Sequence, residues 1–175
     1  MQGGRPAGQP RKVIPVAEDQ VLDAEKIFEA LDRHSVEYVL IGGMAVQTHG
    51  HVRMTNDADL IPSPDPINLD RLASALKDLG ARVLNEGHED EPVTAAMLPR
   101  ATIWQFTTPH GGIDVMHEVP GMRNFEELRS EALVIELGSK EIPVAGLDDL
   151  IRMKIARGRP VDLEDVAALT EIHDR

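Results

Sequence analysis

Apolar and polar positions alternate with a period that changes several times along the chain, and the changes mark its elements. Over 17–34, Val21, Ala24, Phe28 and Leu31 recur at three- and four-residue intervals among charged positions, which predicts an amphipathic helix. The apolar run 37–41 predicts a buried strand. It is cut off by Gly42-Gly43, and 44–48 predicts a short helix leaving that turn. Alternation returns through Asp57-Ala58-Asp59-Leu60-Ile61 and stops at Pro62, as expected of a strand with Ala58 and Leu60 facing the core. Helical spacing resumes over 67–79, with Leu72, Ala75, Leu76 and Leu79 on one face and Gly80 placed to cap the end. A short strand is expected over 82–84 and an exposed acidic loop over 85–92. Two strands, 101–108 and 113–117, flank the hairpin signal Pro109-His-Gly-Gly112, and a second pair, 134–137 and 141–144, turns at Gly138-Ser139. Two helices close the pattern, 148–157 and 162–173, separated by Gly158-Arg159-Pro160. No internal repeat is visible.

Composition narrows this picture. A chain of 175 residues that is 42% hydrophobic can bury one sizeable core, so one domain is expected over 16–175. Residues 1–15, with Gly3, Gly4, Pro6, Gly8, Pro10 and Pro15, are read as a flexible tail. Neither a membrane-length apolar run nor a secretory signal is seen, and the expected setting is the cytoplasm. Cysteine is absent, which removes disulfides, thiolate nucleophiles and cysteine-held zinc. The net charge of −12 opposes extended duplex DNA and anionic membranes as partners. A local exception is the basic run Arg152, Lys154, Arg157 and Arg159.

The chemistry-bearing constellation is Gly42-Gly43, then thirteen residues, then Asp57-x-Asp59, with Asp114 on a later strand. Side chains two apart on a strand share a face, roughly 6.5 to 7 Å apart, so Asp57 and Asp59 can aim at one metal site. Mg²⁺ asks for hard oxygen ligands of this kind together with substrate phosphates. With Asp114 on a neighbouring strand, the carboxylates could hold two ions about 3.5 to 4 Å apart. Gly42 and Gly43 leave backbone N–H groups open to a phosphate.

With Arg53-x-Thr55 leading into Asp57-x-Asp59, this arrangement resembles the polymerase-β-like nucleotidyltransferase superfamily over about 38–165. The later run holding Lys154, Gly158-Arg159 and Asp162-x-x-Asp165 is similar to the AbiEii/MenT-like toxin branch and its small relatives. The resemblance implies an α/β (α+β) minimal nucleotidyltransferase fold, a mixed, strongly twisted sheet flanked by helices, with the metal site on one edge. It implies an enzyme that moves an NMP from an NTP to an acceptor hydroxyl with two Mg²⁺ or Mn²⁺ ions. Asp57, Asp59 and Asp114 would hold the metal, with Asp114 nearest the acceptor hydroxyl. Gly42, Gly43, Arg53, Thr55, Lys154, Arg159 and Asp162 would bind nucleotide, with Lys154 on the triphosphate as a catalytic residue beside the three aspartates and Asp162 in a supporting or catalytic role. Many relatives carry serine where Gly43 stands, so a hydroxyl contact is lost here.

Three functions follow: a toxin acting on a tRNA end or a protein and neutralised by an antitoxin partner, a small-molecule enzyme of the antibiotic-modifying kind, or a silent nucleotide- or protein-binding module. Simpler readings stand beside these. The stretch from His51 to Asn56 is too polar for a haloacid-dehalogenase Asp-x-Asp strand. His49-x-His51 reads as surface histidines before zinc, and His117 as a strand-end residue. Asp148 and Asp149 fit helix capping, Asp165 the start or solvated face of the last helix, and the Lys154 cluster a solvated face beside Ile151, Met153 and Ile155.

Overall fold

The computed structural model describes residues 21–175. The expected tail over 1–15 and the first positions of the expected helix over 17–34 lie outside them. The first helix, α1 (Ala24–Arg33), starts later than its periodicity predicts, because Asp23 caps it: its side chain accepts from the Lys26 N–H at 3.2 Å. Asp23 N–H also donates to His110 O at 2.8 Å, so the chain before the cap is held to the hairpin turn. Val21, expected on the apolar face, is 84% exposed.

After α1 come β1 (Tyr38–Ile41), α2 (Gly42–Thr48), β2 (Asp57–Pro62), α3 (Pro66–Asp78) and β3 (Arg82–Val83). A 3-10 turn (Leu98–Arg100) precedes β4 (Ile103–Thr108) and β5 (Gly111–Met116), and α4 (Phe125–Ser130) precedes β6 (Leu133–Leu137) and β7 (Lys140–Val144). The helices α5 (Leu147–Arg157) and α6 (Pro160–His173) end the chain. Helix α4 is short and lacks a long periodic run, so it was not expected. Asn124 starts it by accepting from the Glu127 N–H at 2.9 Å, and Phe125 and Leu128 fix it by burial.

The seven strands form one mixed sheet in the order β3-β4-β5-β2-β1-β7-β6. Strand β1 runs antiparallel to β2 and parallel to β7, while β2 runs parallel to β5. This corrects the expectation of a site at the sheet edge: β2, which carries Asp57 and Asp59, is the central strand of the seven. Parallel pairing of β2 with β5 needs a long crossover, and α3, β3 and β4 provide it. Four-residue β1 is buried throughout, as a strand in mid-sheet should be. Helices α1 and α3 pack together, α2 lies on β2, and α5 packs on α6. None of the helices among the described residues is long and apolar enough to cross a membrane.

One buried polar side chain fastens α3 to the sheet. Asn68, 2% exposed, accepts from the Glu37 N–H at 2.7 Å and donates to Glu37 O and Ser63 O, both at 2.9 Å. It thereby satisfies the backbone just before β1 and just after β2. Replacing Asn68 with Ala leaves those groups short of partners, and we expect a loss of about 2 to 4 kcal/mol in urea unfolding. A loss under about 1 kcal/mol would show that water replaces the amide without penalty.

Candidate active site

The register of two strands brings the carboxylates together. Asp59 on β2 lies directly beside Asp114 on β5, and Asp57 lies beside Gly112. Side chains on paired positions of a sheet share a face, so three aspartates crowd one side of the sheet while Ala58 and Leu60 on the other side are fully buried. Two glycines clear space for them. A Cβ on Gly112 would fall 2.0 Å from Asp57 Oδ1, and one on Gly42 would fall 1.8 Å from Asp59 Oδ2. Gly42 also has a φ of +70°, so position 42 is held to glycine twice over. A Cβ on Gly43 would come within 2.9 Å of Thr55 Oγ1 and 3.0 Å of Arg53 Nη2. The room that a serine side chain would need is thus already used by Arg53 and Thr55.

Crowding shows in the electrostatics. Burial first, then the charges of Asp114 and Asp57, push the Asp59 carboxyl up to about 7, against the pull of Arg157 and Lys154. Asp114 is raised to about 6 by burial and the charge of Asp57, with the Gln105 side chain, the Arg157 charge and Asp59 acting the other way. Burial raises Asp57 as well. A cluster that resists its own ionisation is one that added positive charge would relieve, and its all-oxygen donor set is of the hard kind that Mg²⁺ or Mn²⁺ takes. As they lie, however, no three His, Asp or Glu side chains among the described residues converge on a metal-holding position. Asp57 leans toward Gly112 and Asp59 toward Gly42, so the donor chemistry fits a divalent cation while the side chains must turn inward to share one.

Cations stand on the other wall. A cleft of about 290 Å³ runs from Asp57, Asp59 and Asp114 past Arg53 and Thr55 to Arg157 and Arg159. A smaller hollow continues inward between Gly42, Val119, Met153, Lys154 and Asp162. A larger hollow of about 410 Å³ beside Phe28, Tyr38 and Lys140 contains none of the three aspartates.

Beneath the cleft sits a buried ion-pair network. Lys154, 5% exposed, places Nζ 2.7 Å from Asp165 Oδ2 and 3.3 Å from Asp162 Oδ1. Arg53 Nε lies 3.0 Å from Asp165 Oδ1, and Arg159 Nε donates to Asp162 Oδ2 at 2.7 Å. Burial opposes ionisation of Asp162, but the Arg159 hydrogen bond and Lys154 charge outweigh it and bring its carboxyl to about 2. Two of the simpler readings fail here. Lys154 belongs to no solvated face, and Asp165, 1% exposed, neither starts nor solvates its helix but joins Arg53 to Lys154.

The basic run also divides. Arg152 turns away to Asp149 and to Gly121 O at 2.9 Å, leaving only its neighbours at the cleft. Asp149 is no cap, because Gly146 holds that position; it is buried and gripped through both oxygens by Arg123 at 3.1 and 2.8 Å. His49 Nε2 sits 2.8 Å from Ala145 O and His51 Nε2 3.8 Å from Asp165, so both imidazoles face protein partners. Sequence reasoning missed Gln105, although the hairpin gives it: counting three back from the closing pair Thr108 and Gly111 sets Gln105 opposite Asp114.

A central strand bearing paired aspartates, a third aspartate in register and a glycine turn before a short helix define the nucleotidyltransferase fold. The chain belongs to the family described as "Nucleotidyltransferase of unknown function (DUF6036)", which it matches over residues 19–173, and it is an enzyme of that class. No curated protein matches its sequence. Among solved structures, the lincosamide antibiotic adenylyltransferase LnuA with lincomycin bound is 15% identical, with a TM-score of 0.58 over 87% of this chain and 99% of that one. The antibiotic-resistance factor ANT(2'')-Ia is 16% identical, with a TM-score of 0.53 over 84% and 80%. An antigenic nucleotidyltransferase-like protein from Paracoccidioides brasiliensis is 14% identical, with a TM-score of 0.51 over 86% and 78%. At such identities the likeness is one of fold.

Two outcomes are expected. Lys154→Met leaves Asp162 and Asp165 buried without their shared cation and should cost about 3 to 5 kcal/mol in denaturant unfolding; a loss below about 1 kcal/mol would mean that Arg53 and Arg159 suffice. The acid cluster has the opposite sign. Because Asp59 and Asp114 have folded values raised to about 7 and about 6, their contribution is full below the ordinary carboxyl range and fades as pH rises through those values. In EDTA, unfolding free energy should fall between pH 5 and pH 8, and Asp59→Asn should flatten that fall. An equally steep fall in the variant would place its source elsewhere.

Proposed function

We propose that this protein transfers the nucleoside monophosphate of an NTP to an acceptor hydroxyl, using Mg²⁺ or Mn²⁺ held by Asp57, Asp59 and Asp114. The observation that carries this reading is the register of β2 and β5, which sets Asp59 and Asp114 side by side opposite a wall of arginines. The acceptor oxygen attacks the α-phosphorus, the new P–O bond forms as the bond to the β-phosphate oxygen breaks, and pyrophosphate leaves. The divalent ions, when bound, neutralise the triphosphate. Asp114, the carboxylate this reading sets nearest the acceptor, takes the hydroxyl proton. Arg53, Thr55 and Arg159 border the nucleotide's path together with the backbone at Gly42 and Gly43. Asp162 supports Arg159, and Lys154 acts from beneath.

Two acceptor classes divide this reading, both set in the cytoplasm where NTPs are at hand. A small-molecule acceptor is supported by the fold shared with LnuA, solved with lincomycin, and with ANT(2'')-Ia, solved with adenylyl-2''-tobramycin, and by a net charge of −12 that disfavours RNA. A toxin acting on a tRNA end or a protein, with an antitoxin partner, is supported by the run Lys154, Gly158-Arg159 and Asp162-x-x-Asp165. Growth arrest on induction, relieved by Asp59→Ala, would select the toxin; drug resistance without arrest would select the small-molecule enzyme. A protein that binds NTP and transfers nothing would be the silent module.

The direct test is incubation with Mg²⁺ and each α-labelled NTP, alone and with total tRNA or candidate antibiotics. Wild type should transfer label, and Asp57→Ala with Asp59→Ala should abolish it. Asp114→Asn should lower the rate by about 100-fold or more. Full activity in Asp114→Asn would remove the proton-acceptor role.

A further inference from the structure

The cations of the cleft are not equally free, and their partners sort them. Arg53 is tied to Asp165, Arg159 to Asp162, and Lys154 to both. Those three cations share two buried carboxylates, so most of their charge is already answered within the protein. Arg157 differs. It lies in the last turn of α5 and borders both the outer cleft and the inner hollow. Among the described residues no carboxylate stands in ion-pair range of its guanidinium, and the side chain is exposed.

Its backbone setting is fixed. Gly158 follows in the left-handed region, with φ +67°, closing α5, and Arg159 already belongs to the cap of α6, where it binds Asp162. The tight turn therefore holds two neighbouring arginines at one cleft wall while engaging only the second. Lys154 lies one helical turn before Arg157 on α5; it borders the inner hollow but not the outer cleft, and its ammonium is held between Asp162 and Asp165.

Resting on the nucleotidyl-transfer reading, we propose that Arg157 is the residue that grips the triphosphate, and that Lys154 is a strut that joins α5 to α6 beneath it. An unpaired guanidinium can give two parallel hydrogen bonds to phosphate oxygens, whereas an ammonium between two carboxylates would have to abandon a buried partner to do so. Gripping by Arg157 requires no existing pair to break. The bound triphosphate would then lie between Arg157 and the aspartates of β2 and β5, with its leaving half on the arginine side.

The test is equilibrium binding of the α,β-methylene analogues of ATP, GTP, CTP and UTP, of pyrophosphate and of the four NMPs, all with Mg²⁺, combined with thermal melting. Arg157→Gln should weaken analogue and pyrophosphate binding by roughly 10- to 100-fold, leave NMP binding near wild type, and leave the melting temperature unchanged. Arg157→Lys should recover only part of the affinity. Lys154→Met should lower the melting temperature, and what stays folded at low temperature should keep most of its triphosphate affinity. Wild-type affinity in Arg157→Gln would overturn the assignment and leave nucleotidyl transfer standing. So would a Lys154→Met protein that melts like wild type but no longer binds triphosphate. A wild type that binds no triphosphate analogue and no pyrophosphate would overturn both readings together.

Discussion

Like charges held side by side are the constraint on which the rest of the structure depends. Parallel pairing of β2 with β5 sets Asp59 against Asp114 without any choice of rotamer, and Asp57 comes two residues earlier on the same face. In water such a cluster would simply be solvated. At the centre of a seven-stranded sheet Asp59 and Asp114 lose much of that solvation, while Asp57 at the start of β2 stays exposed, and burial is the largest influence on the first two carboxyls. The surroundings then follow as accommodations: Gly42 and Gly112 give the carboxylates room to lean apart, Gln105 stands opposite Asp114 in the hairpin register, and the end of α5 brings positive charge across the cleft.

A second layer of charge lies behind that wall. Lys154, Arg53 and Arg159 meet Asp162 and Asp165 in a network whose carboxylates are almost fully buried. Such pairs add little net stability over an apolar packing, because desolvating the ions offsets their attraction. What they supply is position. Asp165 touches both Lys154 on α5 and Arg53 in the loop ahead of β2, so one carboxylate links the last helix, the helix before it and the approach to the aspartates. A leucine at 165 could fill the space but could not hold a guanidinium at a stated place on the cleft wall.

How much of this the sequence disclosed depends on the range of the interactions. Period-two and period-3.6 patterns are local, and β1, β2, α3 and the hairpin of β4 and β5 stand close to where alternation and turn residues put them. The Asp57, Asp59 and Asp114 grouping was legible because a strand fixes which side chains share a face. Strand order was not, and the site expected at an edge lies in mid-sheet because β5 pairs with β2 across the intervening α3, β3 and β4. Burial of charge was the other hidden quantity. Asp149, Asp162 and Asp165 look alike in a helix pattern, yet each is at most 2% exposed, since each faces an arginine or lysine from a distant or adjoining segment. Asn68 was hidden likewise: a helical position in sequence, a three-bond clasp on two strand ends in space.

Local and overall charge point in opposite directions, and that contrast bears on what enters the cleft. The chain carries a net charge of −12, but at physiological salt a charge is screened beyond about 8 Å. A triphosphate is therefore repelled weakly at a distance and meets the fields of Arg53, Arg157 and Arg159 only once it is inside. A long polyanion differs, because its phosphates extend beyond the cleft over a protein of net charge −12 and find few cations there to replace their counterions. On the proposed reading the field thus admits a compact anion carrying its own divalent cation and favours an acceptor that is neutral or positively charged. An RNA acceptor would have to present only its terminal nucleotides, with the rest of the strand held off by the protein or carried by a partner.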